Sequence, residues 1–125
     1  QLLRSLYNEF SKNVEFYGII PGKAYTAGEV KKYARETEIP FSLALDKTKT
    51  LSNYLQATVT PQVILLDANN VLLYKGAIDD LLSQLGKQRL KPTREFLKEA
   101  ILQSLRNERV FIKRTKAVGC RINDY

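Results

Sequence analysis

The feature that most constrains the fold is a Thr-Pro step that leads directly into an apolar segment. Thr60 and Pro61 follow the end of a short predicted helix and precede residues 62–66, which are typical of a buried strand. Proline has no N–H to donate to a ladder and its φ is fixed, so Pro61 must begin the strand or lie at a sheet edge. Cis peptide bonds are almost confined to X-Pro, where trans is still the more frequent state. The residues alone therefore leave both a trans proline and a cis step open.

Strand and helix patterns alternate before this step, and a hairpin and a closing helix follow it. The predicted helices cover residues 2–13, a stretch opened by the capping box Thr26-Ala27-Gly28-Glu29, a short helix near 51–57, and a stretch that begins at Pro92-Thr93. The predicted strands are residues 14–20, 41–46, 62–66 and 71–75, with a turn at 67–70 and one further strand at 110–112. This order predicts an α/β fold with a mixed sheet and helices on both of its faces.

The cysteine and histidine counts exclude several classes of chemistry. The chain has 125 residues, enough for one domain with a core, and no apolar run approaches the roughly 20 residues that span a bilayer. Cys120 is the single cysteine and histidine is absent, which excludes an internal disulfide, a Cys-rich metal site and His-dependent catalysis. The sequence therefore predicts no metal site, no cofactor and no membrane span. Because it does not begin with Met, we expect a mature, trimmed or fragmentary product.

The positive charge is concentrated near the C-terminus. Residues 1–85 carry nine basic and nine acidic side chains, whereas residues 86–125 carry eleven basic and four acidic ones and supply the whole net charge of +7. Phe111 and Tyr125 are the aromatic residues of the tail, and two do not make the stacking array of single-strand binders. A solvated face is therefore favoured and no nucleic acid is expected. An anion-binding domain that uses residues 86–121 is the weaker alternative.

Five segments, taken together, resemble a thioredoxin-fold redoxin of the branch related to alkyl hydroperoxide reductase and thiol-specific antioxidant proteins. They are FYGIIP (16–21), IPF (39–41), VTPQ (59–62), LYKGAIDD (73–80) and TKAVGCRI (115–122). The resemblance implies a thioredoxin-like fold over residues 1–107, incomplete at its N-terminus, followed by a basic C-terminal extension at 108–125. It also implies a cis bond at Thr60-Pro61, which would face the active cysteine where substrate backbone pairs.

The chain departs from the resemblance at its redox motif. Such redoxins carry Cys-Pro or Cys-x-x-Cys between the first core strand and the helix that here begins at Gln1, so the nucleophilic cysteine is expected upstream of Gln1 or is missing. A central strand would be missing with it, and unpaired buried backbone groups are costly. We expect a preceding segment, another chain in a homo-oligomer, or residues 110–112 to fill that place.

Cys120 is the candidate catalytic residue, with Thr60 and Pro61 as the implied substrate-binding residues. Arg121 and Lys116 favour the thiolate of Cys120, which could resolve an intermediate on the missing cysteine. The alternative is a small packing residue between Val118 and Ile122. Two further predictions concern other polar residues: Asp79 and Asp80 serve a turn or a helix cap rather than acid–base chemistry, and the tyrosines mostly pack in the core.

These observations favour a thiol–disulfide oxidoreductase or thiol peroxidase whose substrate is a protein thiol, a protein disulfide or a peroxide. The alternative is a redox-inactive thioredoxin-fold binding module, which the absence of a second cysteine favours. Because many relatives are exported, an exported or periplasmic location is favoured over a cytoplasmic one, although a single cysteine does not decide the compartment.

Overall fold

The computed structural model describes residues 2–84, 87–88 and 92–122. The chain divides into two compact units, one that ends at Gln56 and one that begins at Ala57. Both units combine helices with strands, and the strand pairs include parallel and antiparallel examples, so the predicted mixed α/β class is confirmed. In the part of the chain that the structure describes, no helix is long and apolar enough to cross a membrane.

The first unit is built around a parallel strand pair. Its elements in chain order are α1 (Leu2–Phe10), β1 (Tyr17–Pro21), α2 (Ala27–Glu36), β2 (Ser42–Asp46) and α3 (Thr50–Tyr54). Strands β1 and β2 pair in parallel from Tyr17↔Ser42 to Pro21↔Asp46. Parallel neighbours need a crossover connection, which α2 supplies. The buried side chains of α1 and α2 are Leu6, Phe10 and Val30, as the amphipathic pattern of these helices predicts.

Polar side chains fix the starts of the next two helices. The Thr26 hydroxyl accepts the Glu29 N–H at 3.1 Å and the Glu29 carboxylate accepts the Thr26 N–H at 2.9 Å, which confirms the predicted capping box. At α3, one carboxylate oxygen of Asp46 accepts both the N–H and the hydroxyl of Ser52, each at 2.7 Å. These bonds satisfy backbone donors that have no partner within the helix.

Asp46 should make stability depend on pH in the acid range. Burial acts to raise the pKa of Asp46, but the hydrogen bonds from Ser52 and Leu51 outweigh it and hold the pKa below its ordinary 3.8. Since the folded pKa is the lower one, the stabilisation is present above the unfolded pKa and is lost as pH falls through the folded pKa. We expect Asp46→Asn to cost about 1 kcal/mol at neutral pH and to reduce the fall in stability below about pH 4. Urea unfolding of both proteins across that range checks this, and equal pH slopes would contradict it.

The second unit is built around an antiparallel hairpin covered by a helix. Its elements are β3 (Val59–Thr60), β4 (Val63–Leu66), β5 (Leu72–Gly76), β6 (Leu82–Gln84), β7 (Lys87–Gln88), α4 (Phe96–Leu105) and β8 (Cys120–Arg121). Strands β4 and β5 pair antiparallel as predicted, and α4 contacts both of them. The main buried side chains are Leu65, Tyr74, Leu97, Ala100, Ile101, Val110 and Ile122. Strand β7 pairs with β6, and residues 85, 86 and 89–91 around it lie outside the described ones.

The prediction of a strand at residues 110–112 is wrong. Val110 is buried, but Phe111 is 84% exposed and its N–H bonds the side-chain oxygen of Gln103 rather than a neighbouring strand. Pairing begins slightly later, where Arg114 forms a parallel bridge with Lys75 of β5. The described residues of the C-terminal segment thus pair first with β5, at Arg114, and then with β3, at Cys120 and Arg121.

The prediction that the tyrosines pack in the core is also wrong for most of those described. Tyr74 is fully buried, whereas Tyr17, Tyr25, Tyr33 and Tyr54 are at least half exposed. Tyr17 shows the reason, because its hydroxyl donates to the Glu15 carboxylate at 2.7 Å on the surface of the first unit. Tyr125 lies outside the described residues.

Candidate functional site

The three residues predicted for the site lie together where β8 pairs with β3. The pairing is antiparallel, and its register sets Thr60 opposite Cys120 and Val59 opposite Arg121. The N–H of Ile122 extends the pairing by donating to the carbonyl of Thr58 at 3.0 Å. The Thr60–Pro61 peptide bond is cis. The structure therefore brings Cys120 to the Thr-Pro step, although 60 positions separate Thr60 and Cys120 in the sequence.

Two residues that the sequence reasoning did not assign to the site hold the strands in this register. A Cβ atom on Gly119 would overlap the carbonyl oxygen of Thr60, so only glycine allows this close approach. Ile122 is 4% exposed and fixes the end of β8 in the interior of the second unit. A glycine beside an apolar strand pattern is a recognised sign of close backbone approach, and this signal could have identified Gly119.

The side chain of Gln62 shapes the other end of the site. Its oxygen accepts the Thr58 N–H at 3.0 Å and thus links the residues on either side of the Thr60–Pro61 step. This contact requires an acceptor side chain one position after Pro61. Sequence reasoning did not single it out, because a glutamine at the start of a strand carries no distinctive local signal.

The site is open to solvent. The thiol of Cys120 is free and exposed, Pro61 is exposed and Thr60 is half-buried. Arg121 and Lys116 are also exposed, so positive charge lies near the thiol along the chain. A thiol becomes a nucleophile and exchanges disulfides in its thiolate form. An accessible thiol beside a strand edge can therefore take part in disulfide exchange.

A buried hydrogen-bonded cluster fastens the C-terminal segment to β5 ahead of the site. Tyr74 donates to the Ala77 carbonyl at 2.5 Å and bonds the Thr115 hydroxyl at the same distance. The Thr115 hydroxyl also accepts the Ala77 N–H at 2.9 Å. Burial raises the pKa of Tyr74 against the opposing effect of the Thr115 hydrogen bond, which keeps the phenol protonated as a donor. Gly76 allows the close approach of Thr115 that this cluster needs.

The adjacent carboxylates have structural roles, as predicted. Asp79 accepts the N–H of Leu81 at 2.9 Å in a turn. Asp80 accepts the N–H groups of Thr93 and Arg94 at 2.7 and 3.0 Å, just ahead of α4. The described residues include no group of three or more Cys, Asp or Glu side chains that could hold a metal ion.

Comparison with known families assigns the class of protein. Residues 1–75, which include Thr60 and Pro61 but not Cys120, match the model of the AhpC/TSA family. The chain belongs to the AhpC/TSA family, and its fold is thioredoxin-like, as the sequence motifs predicted.

Two solved structures are similar to nearly the whole chain. One is an uncharacterized conserved protein from Geobacillus kaustophilus, with a TM-score of 0.83 and 27% identity over 94% of this chain and 64% of that one. The other is a hypothetical protein from Sinorhizobium meliloti 1021, with a TM-score of 0.84 and 21% identity over 97% of this chain and 68% of that one. This chain thus spans about two thirds of the length of each. No curated protein matches it.

Proposed function

We propose that this chain is a redoxin domain of the thiol–disulfide oxidoreductase or thiol peroxidase type, in which Cys120 is the resolving thiol and Thr60–Pro61 is the step that faces the substrate. The observation that carries the proposal is the register of β3 and β8, which sets an exposed thiol opposite Thr60. Membership of the AhpC/TSA family supports the reaction class. Since fold alone does not fix activity, the thiol itself must be tested.

The reaction requires a second cysteine, because a chain with one thiol forms only mixed or intermolecular disulfides. In the peroxidase form, a second thiolate attacks a hydroperoxide, takes one oxygen as sulfenic acid and releases an alcohol or water. The Cys120 thiolate then attacks the sulfenic sulfur, the new S–S bond forms and water leaves. An external thiol reduces the disulfide by exchange. We assign the second cysteine to a segment that precedes Gln1. A homo-oligomer would serve to fill the place of the missing strand.

A redox-inactive binding module is the second candidate. The observation that favours it is the single cysteine in the 125 residues, which leaves the chain without a nucleophile and resolver of its own. In that role the site would bind a protein partner through the strand edge at Thr60 without electron transfer. Anion binding is a weaker third candidate, because the C-terminal segment carries exposed cations such as Arg109, Lys113 and Arg114.

A thiol titration with substrate separates the first two candidates. The purified protein, in its longest natural form, is given a hydroperoxide or a small disulfide together with a reducing thiol, and substrate consumption is followed. We expect turnover with Cys120 trapped in a disulfide, seen as a loss of about two mass units per bond under non-reducing conditions. Cys120→Ser should abolish that disulfide and lower steady turnover about ten-fold or more.

Glu108→Ser is the matched control, because Glu108 is exposed on the same C-terminal segment and lies outside the site. It should keep the turnover of the unmodified protein. Substrate consumption that continues unchanged in Cys120→Ser would exclude Cys120 as the resolving thiol. A protein that consumes neither substrate would support the binding module instead.

A further inference from the structure

Strand β8 occupies an edge that an extended polypeptide could otherwise use. Strand β3 has only two residues, and both of them pair with β8. The Thr58 carbonyl, one position earlier, is used as well, because it accepts the Ile122 N–H. Unpaired strand edges are general sites for the addition of an extended peptide through main-chain hydrogen bonds. Here the chain's own C-terminal segment takes that place.

The attachment is made by two contacts at the ends of a very short strand. At one end, the approach of Gly119 to the Thr60 carbonyl leaves no room for a side chain. At the other end, Ile122 is buried. Between them Cys120 and Arg121 are both exposed, and they pair with Thr60 and Val59 through the main chain.

A separate anchor lies just ahead of this strand. Thr115 is bonded through its hydroxyl to Tyr74 and Ala77, and through its N–H to the Lys75 carbonyl at 3.1 Å. Residues 116–118 connect Thr115 to Gly119. The short strand can therefore leave β3 while Thr115 stays bonded to β5, which confines the movement to the last residues of the segment.

We propose that residues 119–122 are a self-docked strand that blocks the β3 edge, and that a polypeptide substrate or partner pairs with Thr60 only after this strand leaves. The proposal rests on the proposed function only in taking Thr60–Pro61 as the substrate-facing step. The competing ligand has the chemistry of the strand itself: an extended segment with a glycine beside the Thr60 carbonyl and an aliphatic residue three positions later. The apparent affinity for the peptide then equals the affinity of the released state multiplied by the fraction of protein in which the strand is released.

The test locks the strand with a disulfide. In Thr60→Cys the protein has two cysteines, in register opposite each other across β3 and β8. Mild oxidation should join them within one molecule, and reduction should release them. The probe is a fluorescent synthetic peptide, Ala-Val-Gly-Ser-Arg-Ile, which carries serine in place of cysteine and so has no thiol chemistry.

We expect the reduced protein to bind this peptide and the oxidised protein to bind it at least about ten-fold more weakly. In the protein without the added cysteine, Ile122→Ala should raise the peptide affinity about ten-fold, since it removes the buried anchor of the docked strand. Gly28→Ala is the control, because a Cβ there meets only the Thr26 hydroxyl, at 3.9 Å. It should bind as the unmodified protein does.

Two results would overturn the proposal. They are equal peptide binding by the locked and reduced proteins, and no binding to the reduced protein or to Ile122→Ala. The locked and reduced states are compared in the same variant, Thr60→Cys, so this comparison does not depend on the stability of Ile122→Ala. Because the peptide has no thiol, its binding does not depend on redox chemistry. A loss of redox turnover in Cys120→Ser therefore tests the proposed function, and the change in peptide binding on locking the strand tests the present proposal.

Discussion

Replacing Gly76 with alanine is expected to cost about 3 kcal/mol or more of the free energy of unfolding, because the added methyl group has no space to occupy. A Cβ at this position would overlap the Thr115 hydroxyl oxygen, and it would lie 2.5 Å from the carbonyl oxygen of that residue and 2.8 Å from its nitrogen. Two of these atoms belong to the backbone, so no change of rotamer removes the clash. The φ of +153° adds strain, since L side chains rarely adopt it.

Thermal and urea unfolding measure this effect, with an expected fall of about 10 °C or more in Tm. Gly28→Ala again serves as the matched substitution, because Gly28 lies in α2 with open space around it. Alanine is the better helix former, so this control should be neutral or stabilise by up to about 1 kcal/mol. If Gly76→Ala unfolds at the urea concentration of the unmodified protein, the close approach of Thr115 to β5 is disproved.

The second large effect is expected at Tyr74, whose side chain is fully buried. Tyr74→Ala removes the ring and leaves a cavity, at a cost of about 3–5 kcal/mol. Tyr74→Phe keeps the ring but leaves the Ala77 carbonyl and the Thr115 hydroxyl without the phenol, at a cost of about 1–3 kcal/mol.

A double-mutant cycle with Thr115→Val tests whether the two hydroxyls act together. Because they share one hydrogen bond, the losses of Tyr74→Phe and Thr115→Val should not add, with an interaction free energy of about 0.5 kcal/mol or more. Urea unfolding of the four proteins gives this value. Simple additivity would show that the Tyr74–Thr115 bond contributes nothing to holding the C-terminal segment on β5.

Local sequence signals predicted the elements of this protein well where neighbouring residues determine them. The capping box at Thr26 and Glu29 depends on a spacing of three positions, and the turn between β4 and β5 depends on Asp67, which accepts the N–H groups of Asn69 and Val71. Such contacts are encoded within a few residues. The structure reproduces them for that reason.

The errors occurred where a distant contact decides the outcome. The β-branched and aromatic run at 110–112 has the composition of a strand, but the Gln103 side chain takes the Phe111 N–H and the ladder starts later. Tyr33 has helical spacing that points inward, yet it is 54% exposed. Periodicity identifies an apolar face but does not show how much of it the neighbouring elements cover.

The contrast between local signals and distant contacts applies to the candidate site as well. Residue chemistry selected Cys120 as the one redox-capable side chain, and the resemblance selected Thr60 and Pro61. Their juxtaposition depends on a pairing across half of the chain, which no local pattern encodes. Gly119 carries a local sign of close backbone approach, but only the structure identifies the carbonyl of Thr60 as the group that it approaches.

The shortness of the β3–β8 pairing sets an order of opening within the second unit. Two register pairs hold β8 on β3, whereas four register pairs and a turn of a few residues hold the β4–β5 hairpin. Few backbone hydrogen bonds therefore oppose a local opening of β8. We therefore expect amide hydrogens at Ile122 to exchange with solvent through a small local opening, before those of Tyr74. The single cysteine of this chain lies in that short pairing, so a local opening of β8 would change the surroundings of the Cys120 thiol.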